Sequence, residues 1–493
     1  MTSTISVSLF CIFALGSLVY ILLSKRSRDV LLRRLRQIAL VKSHKQPVDA
    51  KATPPISDSK LSELQAAFPP QRISAHCNDH ALATSREQAL QDPANCVPDK
   101  KNVFEEEYST RLTPTGFSMS EIKALGDFPD YAKLSGVPLP TPYATFDIDT
   151  AKPRPYRPLR WAYHQTMSLN KLETDWWLEL ESTYKDRIAQ RQSLYAQHGP
   201  AVLQALPGSE LACKELMEMS LQFLCARYPH YFTLTPATSP TTFHNALLRT
   251  STCLLSTPPL LVLLHNIPED FALMLRDPST GIYTLRAGVI CSSLGWNLGT
   301  KIGLPLSGIH APIPDYAAKM SFSMDRYFSR MPTDRPIQRG SWGLEIDAPL
   351  FMPPGDLHAE LRERQDPGHS VDDVMFRVDW QTLRRLPLSG AVVFNFKALF
   401  TPVREFREER YVPKLLLKVL KEGKRGLMEY KGTWHTEHVV VPALEEWSRE
   451  QEERVWVERD WEEQTLVESP FFPGWEERWM RSQGFAPPCE REE

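Results

Sequence analysis

His310 has the most constrained setting of the 13 histidines in the chain. It lies in KIGLPLSGIHAPIPDY, running from Lys301 to Tyr316. Pro312 and Pro314 push Ala311 and Ile313 away from helical geometry. That predicts an extended segment carrying His310, with a helix starting near Pro314 or Asp315. A neutral imidazole on a stiff backbone suits an axial ligand to a haem iron. The alternative is a loop histidine with no task. A second segment, DWQTLRRLPLSGAVVFNF, crowds Asp379, Gln381, Arg384 and Arg385 ahead of an apolar strand. A guanidinium there can hold a buried carboxylate, such as a haem propionate, through two parallel hydrogen bonds. The alternative is a solvated charged turn. A third segment, IQRGSWGLEID, contributes Arg339 and Trp342; an isolated tryptophan of this kind is usually a core residue.

Other chemistries lack their signatures. There is no GxGxxG, P-loop, GxSxG or HExxH. The eight cysteines are scattered, with no CxxC pair, so the usual zinc and iron–sulfur spacings are excluded. They do not read as a secreted disulfide framework. No cysteine sits in a Gly-rich loop ahead of a helix, as a thiolate-ligated haem monooxygenase requires. A net charge of −3 argues against a nucleic-acid partner.

The elements that must position these side chains follow from pattern. With 493 residues, 42% of them hydrophobic, the chain can build two or three domains around a sizeable core. Ile5 to Leu23 is an uncharged apolar run, followed at once by Lys25, Arg26, Arg28, Arg33, Arg34 and Arg36. This predicts a single transmembrane helix with the body on the cytosolic side. The basic segment behind it suits an anionic membrane surface. Residues 1–40 are therefore read as a membrane anchor and residues 41–135 as a polar, partly disordered linker. Residues 136–410 form the principal domain and residues 411–493 a Trp-rich helical extension. Within the domain, Trp177, Leu180, Tyr184, Ile188 and Leu194 predict a helix capped by Thr174 or Asp175. A second helix is predicted from Ser209 to about Ala226, stopped by Pro229. FALMLRDPSTGIYTLRAGVICSS reads as strand, turn, strand. SGAVVFNFKALF reads as a half-buried strand, with Val392, Phe394 and Phe396 on one face. Tyr316, Met320, Met324, Tyr327 and Met331 share one face of a predicted helix.

Four blocks in order resemble one known family: MSLNKLETDWWLELESTYKDRIAQR, LPGSELACKEL, WNLGTKIGLPLSGIHAPIPDY and QTLRRLPLSGAVVF. Over about residues 140 to 405 the chain resembles the haem-dependent oxidative N-demethylase alpha subunit family, known in fungi as HRQ family proteins. The resemblance implies an α+β fold, PAS-like, with an antiparallel sheet flanked by helices and haem b in its pocket. It implies His310 as the ligand to iron, and Lys301, Arg384 and Arg385 as candidates for the propionates. Trp342 and Gln381 also match, without an assigned role. The implied activity is oxygen-dependent demethylation of a small amine, with electrons from a separate NADPH-linked reductase. A cytosol-facing anchor would place the body beside such reductases at the endoplasmic reticulum. Trp380, Lys397 and Ser341 stand where the family usually has Arg, Arg and Asn. Those departures point to an altered small-molecule substrate, in keeping with secondary metabolism. The competing readings are a PAS-like haem sensor or carrier and a non-catalytic scaffold.

Overall fold

The computed structural model describes residues 112–162, 167–237 and 239–485. The expected anchor, Ile5 to Leu23, lies outside them. Among the described residues no helix is long and apolar enough to cross a membrane.

Among the described residues ten strands build two antiparallel sheets. The larger holds β1 (Asn170–Lys171), β2 (Leu203–Ala205), β6 (Asp270–Arg276), β7 (Tyr283–Val289), β8 (Ile337–Ile346), β9 (Val374–Arg385) and β10 (Val392–Pro402), in the order β1-β8-β9-β10-β6-β7-β2. The smaller is β3 (Phe232–Thr235), β4 (Thr242–Asn245) and β5 (Thr250–Cys253). The predicted strand–turn–strand is β6 and β7, and Asp277 Oδ1 accepts from Ser279 N and Thr280 N to close its turn. β9 and β10 form the longest hairpin, in register from Val392 opposite Arg385 to Pro402 opposite Met375. Gly390 turns it at φ 68°, and a Cβ there would come within 2.7 Å of Pro114.

Helices cover both faces. Two short helices, α1 (Met119–Leu125) and α2 (Tyr131–Ser135), precede the sheet, followed by α3 (Tyr184–His198), α4 (Glu210–Arg227) and α5 (Pro259–Asn266). Between β7 and β8 run α6 (Leu298–Lys301), α7 (Leu306–Ile309), α8 (Tyr316–Lys319) and α9 (Ser321–Arg330). After β10 come α10 (Val412–Glu422), α11 (Arg425–Lys431), α12 (Trp434–Glu453) and α13 (Trp475–Ser482). The protein is thus α+β, a large antiparallel sheet flanked by helices.

Strand alternation sends side chains to two separate cores. Phe376, Val378, Trp380 and Val393 pack with α3, α4, α5, α10 and α12 in one cluster. Leu383, Val392, Phe396, Ala272 and Met274 pack with α6 to α9 in the other. β10 is central, so its second face, expected to meet solvent, is buried: Val393 is 0% and Asn395 1% exposed. The helix expected from Thr174 begins only at Tyr184. Trp177, Leu178 and Leu180 instead sit in an irregular segment with all three side chains buried, and the Leu180 N–H donates to Tyr228 Oη. The helix predicted from Ser209 is α4, within one residue at each end. The predicted helix through Met320 is broken there into α8 and α9, and its buried aromatics are Tyr316 and Phe328, not Tyr327. Phe117, Ile122, Tyr131 and Leu134, inside the stretch expected to be linker, are core residues. At the other end Val412, Leu415, Leu444 and Trp447 join the same core. Arg157 and Glu409 form a buried two-pronged ion pair of 2.8 and 2.7 Å at that junction.

Candidate functional site

His310 is not in an extended segment. It caps the C-terminal end of α7, with φ −98° and ψ 7°. Pro305 starts that single turn, and the two prolines after His310 act only beyond it. The turn sets the tautomer: His310 Nδ1 lies 2.8 Å from Leu306 O. A carbonyl only accepts, so Nδ1 carries the proton and a neutral ring keeps a bare lone pair at Nε2. Among the described residues Nε2 has no hydrogen-bond partner. Burial pushes the His310 pKa down; the Leu306 hydrogen bond opposes this, and the charges of Arg339 and Lys301 add to it. The ring stacks on Tyr316 at 4.9 Å between centroids. All of this holds the imidazole neutral and oriented.

The sheet face opposite His310's helices is uneven in a way that matters. Ile337, Arg339 and Ser341 of β8 pair in register with Leu383, Gln381 and Asp379 of β9, and Phe394 and Phe396 of β10 follow beside them. Arg339, Ser341, Asp379, Gln381 and Phe394 are only half-buried. On the other face of the same strands Thr382 and Asn395 are 1% exposed and Leu344 is 0%. This partly open patch in the middle of a seven-stranded sheet, under α6 to α9, is the candidate site and is called here the His310 cleft. Trp296, Ile302, Ile309 and Ile313 pack around it as partly buried apolar walls.

Cations gather there, and Asp379 of the same patch is already paired with Arg377 at 2.9 Å. Arg339 has no hydrogen bond or ion pair among the described residues, and its Nε is buried without an acceptor. Burial lowers its pKa. Lys301 donates to Ile309 O at 2.9 Å, tying it to the residue before His310; burial lowers its pKa as well. Arg385 lies on the same face, fully buried. It donates through Nη2 to Phe328 O and sits 5.6 Å from the Tyr283 ring, with Nε and Nη1 lacking acceptors. Arg384 does not join them. Alternation along β9 sends it to the opposite face, where it lies 4.0 Å over the Trp177 ring. The structure therefore brings together His310, Lys301 and, on their side of the sheet, Arg385, and separates Arg384 from them.

Arg339 is the residue the sequence offered without a role. Its signal is the register: it stands opposite Gln381 in the β8–β9 ladder, so the second and third segments form one surface. Two of the three unusual positions point away from it. Trp380 is buried on the far face and donates through Nε1 to Gln338 Oε1 at 3.0 Å. Lys397, also buried there, donates to Glu179 O at 2.6 Å and lies 3.5 Å from Glu181. Only Ser341 is on the His310 side.

Comparison with family models matches residues 168–441, more than half of the chain, to "Haem-dependent oxidative N-demethylase, alpha subunit-like". The chain belongs to this family. The match spans every residue of the cleft. Haem is the group that the family's description calls for, and the residues at the His310 cleft fit it. An imidazole with its proton fixed on Nδ1 offers Nε2 to a metal. Apolar and aromatic walls suit a flat macrocycle. Arg339, a half-buried cation with no ion pair among the described residues, suits a carboxylate. Trp342 is buried against Phe376 on the other face, as a core residue, and is not part of the cleft.

Proposed function

We propose that this chain is a haem-dependent oxidoreductase of the oxidative N-demethylase type whose haem b lies in the His310 cleft. The observation that carries the reading is the meeting of a proton-fixed imidazole with a guanidinium that has no ion pair among the described residues, in a half-covered apolar cleft. In this proposal His310 Nε2 is the iron ligand. Arg339 and Lys301 hold the propionates, with Arg385 as a deeper cation on the same face. Arg384 is left out of the set because it faces away. Bound haem supplies oxygen activation at iron.

The chain's own residues do the rest. Leu306 O holds the Nδ1 proton and so keeps Nε2 a lone-pair donor. Burial and the neighbouring cations keep the ring neutral at pH values where a free histidine would begin to protonate. Phe394, Phe396, Trp296 and Ile302 exclude water, which strengthens each charge interaction inside. Gln381 and Ser341 are the polar groups left to meet an amine-bearing small molecule. Ser341, the one unusual position on this face, is the residue proposed to shift substrate choice. The order β7-β6-β10-β9-β8, with its helical cover between β7 and β8, supports a PAS-like reading of the core. No CxxC pair or dinucleotide fingerprint is present, which supports a separate NADPH-linked reductase as electron donor. The apolar run with basic residues behind it supports a single-pass anchor with a cytosolic body, at the endoplasmic reticulum.

The test is the absorption spectrum of the chain expressed with haem precursor. A Soret band that moves on reduction and with carbon monoxide, and disappears in a folded His310→Ala variant, is the expected result. A folded but colourless wild-type protein would overturn the haem reading. Haem-replete protein that consumes no reductant with any of a broad amine panel, reductase present, would overturn the enzyme reading.

A further inference from the structure

A short helix ties the two walls of the His310 cleft together. α11 has seven residues and is about 10 Å long. Just before its first residue, Lys424 donates to the Asp315 carboxylate at the head of α8. Tyr316, the next residue, stacks on the His310 ring, so this contact belongs to the His310 wall. At the other end Lys431 donates to Trp342 O of β8 at 2.7 Å. Burial pushes the Lys431 pKa down to about 7; the charge of Asp379 opposes this and that of Arg339 adds to it. Both of those residues line the cleft, so this contact belongs to the sheet wall.

The two ends are held differently. The Lys431 end is fixed. Met428 is 9% exposed within the main core, Lys431 lies 4.3 Å from the Trp342 ring centroid, and Gly432 closes the helix by donating to Met428 O and Glu429 O. The Lys424 end is held lightly. Lys424 is 50% and Asp315 33% exposed, and Lys319 shares the same carboxylate at 3.0 Å. An ion pair that exposed is weak and screened by salt. No side chain caps the helix there. Gly426 stands in its first turn with no packing neighbour within 4 Å of where a Cβ would be, so space does not require a glycine. What a glycine does supply is a turn that unwinds easily.

We propose that α11 is a strap over the His310 cleft, anchored by Lys431 and latched by Lys424 on Asp315, and that unwinding its first turn opens the cleft to small molecules. This role rests on the haem reading of the cleft. A latch of one exposed ion pair suits a strap that must release and close repeatedly. A buried pair such as Arg157–Glu409 would hold it shut.

Stopped-flow binding of 4-phenylimidazole to the haem-loaded full chain, read at the Soret band, tests this. The wild-type association rate should rise severalfold from low to high salt. Lys424→Glu should raise it about three- to fivefold at low salt and remove the salt dependence. Combining Lys424→Glu with Asp315→Lys restores the pair in reverse and should return the wild-type rate. Gly426→Ala, which meets no steric obstacle, should slow binding severalfold. Carbon monoxide, small enough to pass a closed strap, should bind at the same rate throughout. Wild-type 4-phenylimidazole rates in both Lys424→Glu and Gly426→Ala, or a Lys424→Glu change that the double variant leaves in place, would overturn the strap. So would a carbon monoxide rate that moves in parallel, because the variants would then act on the iron site itself. If the folded chain takes up no haem, the haem reading fails on its own. Hydrogen exchange of residues 424–427 in the haem-free chain then decides the latch. Faster exchange in Lys424→Glu and slower exchange in Gly426→Ala is expected; exchange unchanged in both would overturn it.

Discussion

Arg339→Met separates binding from stability, because the same charge acts in opposite directions on each. In the haem-free protein Arg339 is a half-buried cation with no acceptor. An uncompensated buried charge costs several kcal/mol, and partial hydration of a half-buried group reduces this to ~1–2 kcal/mol. Methionine fills similar volume without the charge. Haem-free Arg339→Met should therefore be more stable than wild type by about 1–2 kcal/mol at pH 7. With haem bound, the lost charge-assisted hydrogen bond to a propionate is worth ~1.5–3 kcal/mol, or roughly 10- to 150-fold in haem affinity. Urea titration of the haem-free protein reads the first quantity. Transfer of haem to a competing apoprotein, followed at the Soret band, reads the second. The reasoning is refuted if haem-free Arg339→Met is less stable than wild type while retaining haem as well as wild type does. Arg339 would then be a structural residue. A gain in stability at the expense of binding is the pattern expected of a functional site held in readiness.

Two other outcomes follow from groups away from the cleft. His435 is 1% exposed, holds its Nδ1 proton against Gly432 O at 2.8 Å and leaves Nε2 buried without a partner; burial pushes its pKa down to about 4. The unfolded chain then binds the extra proton first. Stability is full above about pH 6.5, falls by up to about 3 kcal/mol as pH drops towards 4, and levels off below that. The depressed His310 pulls in the same direction. His435→Gln keeps a donor for Gly432 O but does not titrate; urea midpoints at pH 7, 5 and 4 should show a flatter profile, and an unchanged slope would rule His435 out. Trp380→Phe removes the 3.0 Å hydrogen bond to Gln338 and should cost ~1–2 kcal/mol. Because Trp380 faces away from His310, the Soret band should not move; a shifted band would place it in the haem site after all.

Much of the fold was legible because local patterns carried it. The α4 helix starts at Glu210, just after Ser209, and ends before Pro229, as the proline rule requires. The β6–β7 turn is set by the Asp277 side chain and two backbone donors within three residues. β10 shows its two faces through alternation alone. The failures share one cause. DWQTLRR reads as a charged turn, yet it is the end of a 12-residue strand. Its propensity is poor, and pairing with β8 on one side and β10 on the other supplies what the residues lack. Missing that strand hid the alternation that parts Arg384 from Arg385. Trp177 to Leu180 has helical spacing but is held irregular by burial of neighbouring side chains and the Tyr228 hydroxyl.

The sequence by itself determined which residue types were on offer for the proposed site: one histidine beside a run of prolines, and several arginines and a lysine. It also determined the family, through four blocks whose order survives any fold. Tertiary structure decided which of them meet. Residues 310, 339 and 381 are far apart along the chain, and only the β8–β9 register and the return of α6 to α9 over the sheet bring them to one cleft. The same register sends Arg384 through to the other face, over Trp177. Spacing along a chain sets a side chain's type and its face, but which face becomes a site depends on what packs over it, and that is settled by contacts hundreds of residues apart.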